Sequence, residues 1–89
     1  METYQIKILP TAQKEIASLP KAIQVRIVKK IDSLQSDPIP QGVKLLKGKE
    51  REAYRVRVGD YRILYQIKKD IVTILVIKIG HRREVYRGI

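Results

Sequence analysis

Cysteine, tryptophan and phenylalanine are absent from this 89-residue sequence, and histidine and methionine occur once each. Without cysteine, neither disulfides nor a thiolate metal site can supplement the core, and nothing points to an oxidising compartment. One histidine and scattered carboxylates do not form a convincing metal-ligand set. We therefore expect a protein that needs no metal or other cofactor, with the cytoplasm as its default location.

Long apolar runs are also missing. The longest, residues 71–77, is interrupted by Thr73 and is far too short to cross a bilayer. The opening METYQIKILP lacks the charged-then-apolar pattern of a signal peptide. There is no glycine-rich phosphate loop and no serine–histidine–aspartate arrangement. With 44% hydrophobic residues, residues 1–89 are expected to form a single domain without a membrane partner.

Acidic residues are scarce, since nine Asp and Glu face nineteen Lys and Arg, a formal charge of +10. Residues 1–43 carry six basic and four acidic side chains (+2), whereas residues 44–89 carry thirteen and five (+8). Such a field favours polyanions through counterion release, although it also fits a protein that is merely basic. The imbalance indicates nucleic acid as the ligand and the second half of the chain as its binding region.

The spacing of apolar residues predicts the first half of the fold. Residues 3–9 alternate as a half-buried strand, and Pro10 ends that strand and opens a short helix that stops at Leu19. Pro20 opens a longer helix with an apolar seam, which ends at the DPIP segment, residues 37–40. These two helices are predicted to form a hairpin.

From residue 52 the apolar period returns to two. Residues 52–58 and 61–67 read as strands joined by a tight Gly59-Asp60 turn, and residues 71–79 as a central strand closed by Gly80. One further short strand is expected around Val85. The prediction is an α+β fold, β-α-α-β-β-β, with about four antiparallel strands and the helical hairpin packed on one face.

The Gly59-Asp60 turn determines which side chains share a face of its hairpin. A two-residue turn pairs Val58 with Tyr61 and places the apolar and tyrosine side chains of both strands in the core. On the reverse face, the same register sets Arg57 opposite Arg62 and Arg55 opposite Leu64.

Directly opposed like charges destabilise a sheet by roughly 0.2 to 1 kcal/mol, and an anion would relieve that repulsion. Because each arginine offers a planar fork of donors suited to phosphate oxygens, RNA is the natural candidate. The alternative is that Arg51, Arg55, Arg57 and Arg62 form the solvated side of an amphipathic sheet.

The C-terminal segment adds His81, Arg82, Arg83 and Tyr86, all within reach of the arginine face if the segment folds back. Tyr86 is a candidate for stacking on an unpaired base, against simple packing. His81 is a candidate proton-transfer group near neutral pH, against an exposed loop residue. The other four tyrosines are expected on the core side.

Three segments resemble the RelE branch of the RelE/ParE toxin superfamily, and the resemblance runs from the first strand to Tyr86. They are LP-x-A-x-K-x-I-x-x-LP over residues 9–20, the hairpin YRVRVGDYRILYQI, and the ending IKIGHRREVYR. The resemblance implies a ribosome-dependent endonuclease that cuts messenger RNA in the decoding site and leaves a 2′,3′-cyclic phosphate. It also implies an inhibitory antitoxin partner that represses the shared operon by binding DNA.

By position, the resemblance carries the family's active-site groups onto Arg55, Arg57, Arg62, Arg82 and Tyr86. The best-known members have lysine where this chain has Arg55 and Arg57. Arginine stays protonated and is a poor general base, so the arginines are assigned to phosphate binding and transition-state charge. His81 is the candidate proton acceptor and Glu52 the second candidate.

Two other functions stay open at this point. One is a ParE-like inhibitor of DNA gyrase, which shares the fold but acts on a protein and lacks this set of basic residues. The other is an RNA-binding or ribosome-binding protein without catalysis, in which the arginines affect only affinity and its salt dependence.

Overall fold

The computed structural model describes residues 3–47 and 52–81. They form two helices, five strands and one turn of 3₁₀ helix. In chain order these are β1 (Gln5–Ile8), α1 (Pro10–Ala17), α2 (Lys21–Ser33), β2 (Lys44–Lys47), β3 (Glu52–Val58), β4 (Tyr61–Lys68), the 3₁₀ turn (Lys69–Ile71) and β5 (Thr73–His81).

The strands form one sheet in the order β1-β5-β4-β3-β2. The α+β class and the two-helix hairpin are confirmed, and β5 lies inside the sheet as its apolar character predicted. The prediction of about four strands is close to the observed sheet, which differs from it in two details. The described sheet has five strands, because residues 44–47 of the expected loop pair with β3, and β1 pairs with β5 in parallel. Four residues give too short a pattern to identify a strand, and no local pattern specifies a distant partner.

Both helices begin at a proline rather than at a side-chain cap. Leu9 is the N-cap of α1, with Pro10 in its first turn, and Pro20 is the N-cap of α2. Neither Leu9 nor Pro20 makes a side-chain hydrogen bond to cap its helix. This is consistent with the fixed φ of proline, which suits the start of a helix. The helices bury Ala12, Ile27, Ile31 and Leu34 against one face of the sheet, which contributes Val56, Val58, Ile63, Tyr65, Ile74, Val76 and Ile79.

The central strand starts later and ends later than predicted. Residues 69–71 form the 3₁₀ turn, and Val72 follows in the left-handed region with φ of 48°. β5 then continues through Gly80 to His81. A bulge opposite Leu64 and Tyr65 accommodates one extra residue, since Leu64 pairs with Lys78 and Tyr65 with Val76. The bulge keeps apolar residues on the helix-packed face at both ends of the strand.

A side chain of helix α1 provides a hydrogen-bond acceptor for the edge of β5 beyond the point where β1 stops. β1 pairs with β5 only as far as Val76. Past it, Glu15 Oε1 accepts a hydrogen bond from the Ile79 backbone N–H at 2.9 Å, and Glu15 Oε2 lies 3.4 Å from Lys78 Nζ. The carboxylate therefore replaces the missing strand at that amide.

Glu15→Ala is expected to lower the free energy of unfolding by about 1 kcal/mol, because the Ile79 N–H loses its acceptor. Glu15→Gln keeps a carbonyl oxygen at that position and is expected to lose less, since partly exposed ion pairs contribute little. Urea unfolding of both variants measures the difference. Equal losses would assign the contribution to the ion pair with Lys78 instead of the amide.

Candidate functional site

The hairpin register predicted from the Gly59-Asp60 turn is confirmed in full. Arg57 pairs with Arg62 and Arg55 pairs with Leu64 across β3 and β4. On its other side Arg62 pairs with Gly80 of β5, which has no side chain. Arg62 therefore lies between a second arginine and a glycine. We call the sheet surface that carries Arg55, Arg57 and Arg62 the arginine face.

The arginine face is less open than the sequence suggested. A fully solvated side of an amphipathic sheet, the alternative considered above, does not fit this face, because Leu64 is 0% exposed, Ala53 4% and Gln66 9%. Arg57 is exposed and donates from Nε to the Gly59 carbonyl oxygen at 3.4 Å, whereas Arg62 is half-buried. A pattern of alternating residues reports which side of a strand a residue occupies, not how much of that side is covered.

Arg62 has donors with no acceptor. Its Nε and Nη1 atoms are buried and make no hydrogen bond. In the part of the chain that the structure describes, neither Arg62 nor Arg57 forms an ion pair with a carboxylate. A buried donor without an acceptor costs about 1 to 3 kcal/mol, and more when it is charged. An anion that reached these donors would satisfy them, and the planar fork of a guanidinium suits a phosphate.

His81 lies on the opposite face of the sheet from Arg57 and Arg62. It pairs with Tyr61, and the two rings meet edge to face with centroids 5.8 Å apart. The expected grouping of His81 with the arginines is therefore not observed. The reason is that β5 continues past Gly80, so strand alternation turns the next residue toward the helices.

A groove of about 300 Å³ lies beside His81 on that helix-packed face. It is lined by Glu15, Ser18, Leu19, Tyr61, Lys78, Ile79, Gly80 and His81. The ammonium group of Lys78 is bound to Glu15 in this region, so it does not join the arginines. Glu52, the second candidate proton acceptor, shares its strand parity with Tyr54 and so also belongs to the helix-packed face.

Arg82 and Tyr86 lie outside the described residues, as do Arg51 and Arg83. Their assignments stay predictions. The other tyrosines belong to the core, as expected. Tyr4, Tyr54 and Tyr61 pack against the buried cluster that contains Tyr65.

Tyr65 is the most constrained of these tyrosines. Its ring stacks on Tyr54 at 5.7 Å, and its hydroxyl donates to the Pro38 carbonyl oxygen at 2.7 Å. Burial raises the pKa of Tyr65 above its ordinary value, and the nearby Tyr54 and Asp37 raise this pKa further. The Tyr65 hydroxyl is therefore a structural donor near neutral pH.

Residues 3–47 and 52–81 contain no group of three His, Cys, Asp or Glu side chains placed to hold a metal ion. Within the same ranges, no helix is both long and apolar enough to cross a membrane.

The known proteins that this chain resembles in sequence are toxins. Residues 6–86 match the family of ParE toxins of the type II toxin–antitoxin system parDE. A Methanocaldococcus jannaschii protein named as toxin RelE1 is 31% identical over 96% of this chain and 97% of its own length. Toxin RelG of Mycobacterium tuberculosis is 28% identical over 94% of this chain and 97% of its own length.

Solved structures agree with these sequence matches. The archaeal RelE–RelB complex from Pyrococcus horikoshii contains a chain with 33% identity and a TM-score of 0.80, covering 93% of this chain and 99% of the other. A chain of the Escherichia coli RelBE toxin–antitoxin complex has 25% identity and a TM-score of 0.75, covering 88% and 95%.

Proposed function

The chain belongs to the RelE/ParE family of type II toxins, on its RelE branch, and we propose that it is an endoribonuclease that cuts messenger RNA on the ribosome. The observation that carries this proposal is the pair of buried, unpartnered donors of Arg62 beside Arg57. Such an arrangement is costly for folding alone, and a phosphate group would satisfy it.

The chemistry proposed for this site uses the nucleophile that RNA itself carries. The 2′-hydroxyl oxygen attacks the adjacent phosphorus and loses its proton to solvent, while the bond from phosphorus to the 5′-oxygen breaks. The departing 5′-oxygen takes a proton from solvent, so the products are a 2′,3′-cyclic phosphate and a 5′-hydroxyl. Arg62 donates to the non-bridging oxygens, where negative charge develops. Arg55 and Arg57 bind the phosphate, and Arg82 and Tyr86 complete the proposed site, with Tyr86 stacking on a base.

The described residues of the arginine face include no good candidate for proton transfer. His81 and Glu52 lie on the helix-packed face, so the proposal assigns the proton-accepting role to neither. Arginine stays protonated and is a poor base. Rate enhancement is therefore assigned to positioning of the 2′-hydroxyl and to stabilisation of charge.

The proposed partners follow from the same surface. Two of the similar structures are complexes of RelE with RelB, and we expect a corresponding antitoxin to inhibit this chain and to repress its operon by binding DNA. An acidic antitoxin segment over the arginine face would neutralise the charge of Arg57 and Arg62 and block access of RNA. Ribosome and messenger RNA are the proposed targets, in the cytoplasm.

A second candidate function is inhibition of DNA gyrase, because the matching family is described as ParE toxins. In that function the arginine face would contact a protein, and no RNA would be cut. A supercoiling assay with purified gyrase separates the two. A non-catalytic RNA-binding protein would neither cut RNA nor inhibit supercoiling.

The direct test incubates purified toxin with messenger RNA, with and without ribosomes that have translated to a defined codon. We expect cleavage only with programmed ribosomes, at the codon in the decoding site, with a 2′,3′-cyclic phosphate on the upstream fragment. Equal cleavage of free RNA would contradict ribosome dependence. Inhibited supercoiling with intact RNA would establish the gyrase function instead.

A further inference from the structure

A cation from helix α2 packs against the turn that joins the two arginine-bearing strands. A Cβ placed on Gly59 would lie 3.6 Å from both Nη atoms of Arg26 and 3.9 Å from its Cζ. Both Nη atoms of Arg26 are therefore nearer to the glycine than its Cζ is. Gly59 has φ of +58°, a backbone conformation that favours glycine, and a Cβ there would meet Arg26 at ordinary van der Waals distance.

Arg57 contacts the same residue from the arginine face. Its Nε donates to the Gly59 carbonyl oxygen at 3.4 Å, whereas Arg26 reaches the turn from the helix-packed side. Two guanidinium groups thus meet at one turn, and Arg62 follows two residues after it. Positive charge continues from the arginine face around the hairpin tip to α2.

No carboxylate pairs with Arg26, Arg57 or Arg62 among the residues that the structure describes. Arg26 is exposed and forms no ion pair, even though Asp60 is the next residue of the turn. Packing on glycine explains where the Arg26 side chain lies, but a neutral side chain of similar length would pack equally well. The charge itself has no structural role in the described fold.

We propose that Arg26 is a further RNA-binding residue, which contacts a backbone phosphate of RNA passing from the arginine face around the Gly59-Asp60 turn. This inference rests on the proposed function. Arg26 lies across the sheet from Arg62, so it contributes to binding and not to the bond-breaking step. A phosphate contact carries no base information, and its effect is uniform across RNA sequences.

The test uses the full-length toxin and compares Arg26→Met with Arg26→Lys. Methionine keeps a flexible apolar stem against Gly59 without charge, and lysine keeps the charge. Lys21→Met is the matched control, because it removes an exposed cation from the first turn of the same helix. Dissociation constants for programmed ribosomes and for a single-stranded RNA are measured over a range of salt concentrations, with single-turnover cleavage at saturating toxin.

We expect Arg26→Met to weaken RNA binding by roughly 3- to 10-fold and to reduce the slope of log affinity against log salt by about 0.7. The maximal cleavage rate should stay within about 2-fold of wild type, since the contact acts on binding. Arg26→Lys should retain most of the affinity, and Lys21→Met should retain wild-type affinity and slope.

Unchanged affinity and slope for Arg26→Met would overturn the proposal, and so would an equal loss for Lys21→Met, which would show a general effect of charge. Weaker antitoxin binding with intact RNA binding would also overturn it, because Arg26 would then recognise protein. A failure of the proposed ribonuclease function can be distinguished from a failure of the Arg26 proposal. If Arg62→Ala still cleaves RNA, the active site is wrong; if only the Arg26 variants behave as wild type, the RNA path alone is wrong.

Discussion

Arg62→Ala is expected to reduce the rate of RNA cleavage by about 10²-fold to 10³-fold while the domain stays folded. Arg62 is the only described arginine with buried donors that lack an acceptor, and it lies between Arg57 and Gly80. Donors held in place before the reaction stabilise developing charge without reorganisation, so their loss affects the chemical step. Single-turnover cleavage on programmed ribosomes measures it.

Arg62→Met separates this role from a structural one. Arg62 is half-buried, and its two buried donors without acceptors oppose folding. Its replacement by an apolar side chain of similar length is therefore expected to raise the free energy of unfolding by about 1 kcal/mol while cleavage is lost. Lys69→Met is the control, since Lys69 is exposed in the 3₁₀ turn. An Arg62→Met variant that is both unstable and fully active would contradict the assignment.

Tyr65→Ala is expected to lower the free energy of unfolding by about 3 to 5 kcal/mol, a large share of the roughly 5 to 15 kcal/mol that holds a domain folded. The side chain is fully buried, stacked on Tyr54 and bonded to the Pro38 carbonyl oxygen. Tyr65→Phe keeps the ring and removes only the hydroxyl, at about 1 to 2 kcal/mol. Urea unfolding at neutral pH compares the two, and similar losses would mean that the hydrogen bond outweighs packing.

The pH dependence of the same residue provides an independent measurement. The pKa of Tyr65 is raised in the folded state, so above about pH 10 the unfolded chain loses the phenolic proton while the folded chain keeps it. Its contribution to stability is therefore fully present below pH 10 and falls as the pH rises further. Tyr65→Phe should show a shallower alkaline decline, and an identical decline would show that other groups cause it.

Local pattern was sufficient for the hairpin that carries the site. Two residues of turn, Gly59 and Asp60, set the register of β3 and β4, and period-two alternation then placed Arg57 opposite Arg62. These relations extend over fewer than ten residues and follow from strand geometry and turn length. The same local rules placed both helices, because each begins at a proline.

The sequence by itself therefore determined which arginines share a face, since register and alternation are properties of neighbouring residues. Only the tertiary structure decided that β5 runs past Gly80 and turns His81 away from that face, that Arg62 is partly buried, and that Arg26 reaches Gly59 from α2. Strand length, coverage of a surface and contacts between distant elements depend on how the layers pack, and no short stretch of sequence encodes that packing.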